Sequence, residues 1–138
     1  MGSPRPMTKK QIVDAVARGE SLADADLRGL DLSGVDLDGA DLRHTKLAEC
    51  NLTRATFRNA NLSGASLWHS DCREAVFDEA NLEEADLDFA NIDGCTFRNA
   101  KVKKAIFPNP RQTLDEILAS VRTGRRVKVE AKYLDEDF

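Results

Sequence analysis

The 138-residue sequence has no apolar run near the roughly 20 residues that a membrane-spanning helix requires. Its N-terminal stretch lacks the apolar segment of a secretory signal, and the first six residues, MGSPRP, read as a cloning scar ahead of a native start at Met7. No membrane association is expected. Aromatic residues make up only 6% of the chain, with a single tryptophan, so the core must be mainly aliphatic. Two histidines and three cysteines leave little material for a metal centre, and three cysteines cannot all pair with one another. With no secretion signal, the expected compartment is a reducing cytoplasm. Lys and Arg number 20 against 24 Asp and Glu and form no basic stripe, so direct nucleic-acid binding is not expected.

What the chain has instead is a period of five. Stepping by five from Leu22 through Leu27, Leu32 and Leu37 to Val102 and Phe107 meets 18 centre residues, none of them polar. Two places before each centre, alanine takes 11 of the 18 sites. Val35, Thr45, Cys50, Ser70 and Cys95 are small substitutes there, and Glu20 and Leu30 are misfits. One place before, 14 of 18 sites are Asp, Asn, Ser or Thr, and five of the eight glycines fall two places after a centre.

Neither regular element explains that spacing. Five residues of α-helix rotate a side chain by about 500°, which smears the centres around the axis. On one continuous strand an odd spacing sends successive centres to opposite faces. A short extended piece followed by a bend fits: the small residue and the centre point inward together, the polar residue between them points out, and the last two turn a corner. Four such pentads at about 90° close a square coil of 20 residues, and coils stack at about 4.8 Å. Correlations at 20 support the square. Leu37, Phe57, Phe77 and Phe97 form one series, Asp38, Arg58, Asp78 and Arg98 a second of alternating sign, and Asp31, Asn51, Asp71 and Asn91 a third. No comparable series runs at 15.

The strings ADLRGLDLSGVDLDGADL and ANLSGASL carry the pattern A-[DN]-L-x-x, and over residues 21–108 the chain resembles the pentapeptide repeat family. The resemblance implies an all-β solenoid, a right-handed quadrilateral parallel β-helix of about 4.5 coils, roughly 20 Å long. Departures are mild: Cys72 stands at a centre, and Lys46, Val76, Lys101 and Ile106 stand at polar sites.

A solenoid needs its ends covered. Residues 7–20 read as an N-terminal cap helix over 8–18, with a Thr8–Gln11 capping box, a Met7–Ile12 staple, an apolar face of Ile12, Val13 and Val16, and Gly19 at C′. Residues 109–138 read as a C-terminal cap. Pro108-Asn109-Pro110 stops the repeat, Thr113 and Glu116 suggest a second capping box, and Leu114, Ile117, Leu118 and Val121 follow at helical spacing up to Gly124. Val127, Val129, Ala131 and Tyr133 then alternate as in a half-buried strand, ahead of an acidic tail expected to be mobile.

Catalytic chemistry finds no footing. His44 and His69 occupy different corners without metal-ligand neighbours, and Cys50, Cys72 and Cys95 fall at inward sites where a thiol acts as a small hydrophobe. The expectation is a protein with no catalytic residues, cofactor or metal. Charge is more telling. Asp71, Glu74, Asp78, Glu79, Glu83, Glu84, Asp86, Asp88 and Asp93 make an acidic surface against Arg73 alone, and Arg98, Lys101, Lys103 and Lys104 follow. Trp68 and Phe89 are outward by register, one coil apart, with His69 beneath Phe89; that composition suits a partner contact. The leading functional expectation is a non-catalytic protein–protein interaction module with a partner the sequence does not name. The resemblance also implies an alternative, since some family members mimic duplex DNA, bind DNA gyrase and protect it from fluoroquinolones. Long-rod members dimerise through a C-terminal helix, which makes Leu114, Ile117, Leu118 and Val121, or the strand after them, candidates for self-association.

Overall fold

The computed structural model describes residues 6–108 and 111–129. Within them the chain winds as a right-handed square solenoid between two helices, α1 (Lys9–Ala17) and α2 (Arg111–Thr123). Each pentad contributes one bridging residue, and all thirteen bridges, from Asp26↔Lys46 to Asp86↔Ile106, are parallel and join residues 20 apart. A coil is therefore four pentads. Two backbone bonds flank each bridge: Leu27 N–H donates up to the Lys46 carbonyl at 2.8 Å, and Lys46 N–H donates down to the Ala25 carbonyl at 2.9 Å.

The inward pairs fill the rod. Centres from Leu22 to Phe97 are buried, and only Val102 and Phe107, on the final half-coil, are half-buried. Identical residues at 20 stack across coils: Phe57 on Phe77 at 4.9 Å and 3°, Phe77 on Phe97 at 5.2 Å and 6°. Polar substitutes at the small site are satisfied locally. Thr45 Oγ1 donates to the Leu42 carbonyl at 2.7 Å, and Ser70 Oγ to that of Leu67 at 2.6 Å.

The outward Asp or Asn has a backbone task. Asp31, Asp36, Asn51, Asn61, Asn81 and Asn91 each accept the N–H two residues on, closing an Asx turn at the start of the corner. Where threonine stands instead, at Thr56 and Thr96, the coil below supplies the acceptor. Asp38 takes the Arg58 N–H at 2.8 Å and Asp78 the Arg98 N–H at 3.1 Å. The charge series read from the sequence is thus partly a backbone series.

Corners are type II turns. The small residue's N–H returns to the preceding centre's carbonyl, as Ala65 does to Leu62 at 2.9 Å. The residue two places after the centre has positive φ at all seventeen corners, from Asp24 to Lys104; twelve of these are not glycine. Gly64 answers a second demand, because a Cβ there would collide with the His44 imidazole one coil below.

The N-terminal cap is as expected, one residue shorter at each end. Thr8 and Gln11 exchange both capping-box bonds. Gly19 N–H meets the Val16 carbonyl and Glu20 N–H the Ala15 carbonyl, a Schellman close. Ile12 and Ala15 form the buried face, with Met7, Val13 and Val16 partly buried beside it, and Lys9 Nζ donates to the Ser33 carbonyl of the first coil.

The C-terminal cap departs from expectation in three ways. Thr113 is the third residue of α2, not its cap; it is buried because it shares a face with Ile117 and Ser120, and that face covers the last complete coil. Ile117 is consequently fully buried, leaving Leu114 and Leu118 exposed and Val121 half-buried, so the four-residue self-association stripe is split between core and solvent. No strand forms over 124–129. Val127 instead plugs the coil, accepting from Gly94 N–H and donating to the Cys95 carbonyl, both at 2.7 Å. Ser120 Oγ accepts the Phe97 N–H and the Val121 carbonyl that of Asn99. Ala131, Tyr133 and the acidic tail lie outside the described residues, as do residues 1–5.

Positive φ at Glu49, where a glycine stands one coil below, gives a direct test. Glu49→Gly should raise stability by about 0.5–1 kcal/mol in urea unfolding, and Glu49→Val should lower it by a similar amount or more. Equal stabilities for the two variants would contradict the left-handed corner.

An aromatic edge and an acidic belt

Stacking at 20 assembles the candidate contact from two coils. Trp68 follows centre Leu67, Phe89 lies two after centre Leu87, and both project from the same edge. Their rings meet edge to face, centroids 6.3 Å apart at 76°, and the Trp68 and His69 rings lie 5.1 Å apart. Trp68 remains 38% exposed and Phe89 42%. His69 and Phe89 hold left-handed backbone (φ 58° and 59°), as the other corners of the rod do. His69 N–H donates to the Asp88 carbonyl at 3.0 Å, which ties the two coils beneath the rings.

The nine acids do not make one face. Asp78 and Glu79 sit at one corner, Glu83 and Glu84 at the next, Asp88 at the third, Glu74 and Asp93 at the fourth, while Asp71 and Asp86 stand on flat sides. A run of 23 residues in a 20-residue coil must encircle the rod. The arrangement is a belt. Several members are already paired: Arg73 grips Asp71 at 2.6 Å and Arg54 reaches up to Glu74 at 3.0 Å. Burial works to raise the Asp71 carboxyl, but the Arg73 hydrogen bonds and charge overcome it and leave the group below its usual value. Those ion pairs line a shallow cleft of about 330 Å³ formed by Thr53, Arg54, Arg73, Glu74 and Asp93. Its arginines are engaged by carboxylates, which leaves little attraction for an anion.

The three thiols are buried. Burial pushes the Cys72 thiol up to about 12, raises Cys95 well above its ordinary value, and raises Cys50 as well. Cys50 Sγ donates to the Leu27 carbonyl at 2.9 Å and Cys95 Sγ to the Cys72 carbonyl at 2.8 Å, so each behaves as a satisfied core residue. His44 and His69 lie at different corners, and among the described residues no group of three or more His, Cys, Asp or Glu is placed to hold a metal ion. No helix among them is long and apolar enough to cross a membrane.

Two features escaped the sequence reading. Asp88 stacks directly above Trp68, and the Arg54–Glu74 pair spans adjacent coils. Both are residue pairs 20 apart, so the period that revealed the phenylalanine stack also contained them.

Comparison with known proteins accords with this architecture. The family model described as pentapeptide repeats matches in eight copies, over 14–43, 21–59, 36–67 and 60–99. A comparison with curated protein sequences gives no significant match. Among solved structures, a pentapeptide repeat protein from Nostoc is similar at 28% identity and TM-score 0.60, over 81% of this chain and 95% of its own. One from the cyanobacterium Cyanothece is similar at 28% identity and TM-score 0.62, over 78% and 67%. A third, from the Arabidopsis thaliana thylakoid lumen, is similar at 37% identity and TM-score 0.56 over 56% of this chain, which spans only 54% of that protein. With repeat matches running across more than half its length and the bridges all at 20, the chain belongs to the pentapeptide repeat family.

Proposed function

We propose that the chain is a non-catalytic protein-interaction module that offers a rigid solenoid surface and engages its partner through the edge of Trp68, His69 and Phe89. The observation that carries this reading is the exposed edge-to-face pair on a rod whose other corners hold small, polar or charged residues. Large aromatic side chains with little conformational freedom are the usual anchors of protein contacts.

The charge pattern favours this reading over gyrase binding by mimicry. Duplex DNA presents one charge per ~1.7 Å along its axis, so a mimic needs acids distributed along the rod. Here nine encircle little more than one coil, the other seven acids of the solenoid lie between Asp24 and Glu49 with none from 50 to 70, and Arg58 and Arg98 interrupt the axial series.

Two outcomes are expected. Trp68→Ala with Phe89→Ala should melt within a few degrees of the parent, since neither side chain is in the core, yet weaken binding to a partner co-purified from the native host by more than about 2 kcal/mol. Unchanged binding by calorimetry would contradict the proposal. Glu83→Lys with Glu84→Lys should mainly change association rate and salt dependence; loss of binding in that variant alone would instead favour mimicry. Separately, Cys50, Cys72 and Cys95 should react with a thiol reagent at pH 8 only on the timescale of unfolding, and at once in denaturant. Rapid labelling of native Cys72 would contradict its inert, buried role.

A further inference from the structure

We propose that the Trp68–Phe89 edge receives a cationic side chain of the partner, an arginine or lysine seated against the tryptophan ring and held by the carboxylates of Asp86 and Asp88. This rests on the reading of that edge as a contact surface and names what it takes. The two rings stand at 76° with centroids 6.3 Å apart, so they form two walls of an angle instead of one flat stack. A cation against the face of an indole gains from the ring quadrupole, more so once water is excluded.

The carboxylates supply the second half of the argument. Asp88 stacks one coil above Trp68, and Asp86 lies beside it on the same side of the rod. Asp86 Oδ1 accepts the Asp88 N–H at 2.9 Å and Asp88 Oδ1 the Phe89 N–H at 3.1 Å. Among the described residues the other oxygen of each has no hydrogen-bond partner, and neither carboxylate pairs with a cation. Arg28, three coils below Asp88, is committed to Asp26 at 2.7 Å, Arg73, at the next corner, to Asp71 at 2.6 Å, and Lys46 stands two coils below Asp86. Any partner that covers the aromatic pair also desolvates these two carboxylates. An apolar partner would bury them unpaired, and an acidic one would add repulsion. A guanidinium satisfies both demands, stacking its plane on the indole while its donors fork toward the carboxylates.

Trp68 is the chain's single tryptophan, so its fluorescence reports on this edge directly. The probe is a capped tetra-arginine peptide, with the uncharged tetracitrulline peptide as its isostere. The expected result is a saturable change of Trp68 emission with tetra-arginine and none with tetracitrulline. Asp86→Asn with Asp88→Asn should weaken the arginine affinity by at least about fivefold. The fold survives that change, because Asn51, Asn61, Asn81 and Asn91 already make the turn bond of Asp86, and Asp88 is a corner residue whose amide replacement keeps an oxygen to accept the Phe89 N–H. Glu83→Gln with Glu84→Gln, at a different corner, should leave the affinity within about twofold. No saturable response, an equal response to citrulline, or equal losses in both variants would overturn the proposal. With the native partner, loss of binding in the aromatic double variant but normal binding in Asp86→Asn with Asp88→Asn would overturn the cation while leaving the contact surface standing. Binding untouched by removal of the aromatic pair would overturn both.

Discussion

Everything in this molecule depends on one hydrogen-bonded register, residue i against residue i+20. A pentad has too few residues to be a stable strand by itself, and each bridge is a single residue wide. Repetition makes it hold: every bridge seats its centre above and below another centre, so backbone pairing and apolar burial reinforce each other along the axis. The phenylalanine stack follows from the same register, since rings spaced by one coil lie almost parallel at 4.9 and 5.2 Å. So does the cross-coil pairing of Arg54 with Glu74 and of Arg58 with Asp38.

The register also decides where function can reside. Inward positions are committed to the core and the outward Asp or Asn to the turn, which leaves the two corner residues of each pentad as the freely variable surface. Trp68, His69, Asp88 and Phe89 all occupy corners. A site on such a scaffold is built vertically, from residues one coil apart in space and 20 apart in sequence. Its geometry is held by the coil spacing and not by loop packing, which gives a partner a surface with little to reorganise on binding.

Much of this was legible in the sequence because the signal is repeated. Eighteen centres in phase leave no doubt about inside and outside, and the Phe57, Phe77 and Phe97 series separates a square coil from a triangular one. The cap at α1 was legible for a different reason: Thr8, Gln11 and Gly19 form local motifs whose partners are three to five residues away. The cap at α2 has no such help. Thr113 followed by Glu116 has capping-box spacing, but Thr113 is drawn into the buried face with Ile117 and Ser120, and that outcome depends on the coil beneath. Val127 alternates like a strand residue yet serves as a plug bonded to Gly94 and Cys95. Each is a single tertiary event with no period to announce it. Sequence proximity groups Asp86 and Asp88 with Glu83 and Glu84 in one acidic band, whereas the coil turns Glu83 and Glu84 to one corner and Asp86 and Asp88 to the next flat side and the corner that follows it.

The most direct test of the register is deletion. Removing residues 60–79 takes out one complete coil and rejoins Asn59 to Ala80, which returns Phe97 to the place above Phe57 and leaves every later pentad in phase. That shortened rod should fold, with the far-UV circular dichroism of a solenoid and a single cooperative melt. Removing 60–78, one residue fewer, shifts every later centre to a polar position and should abolish the transition. Indistinguishable melts for the two deletions would contradict the account.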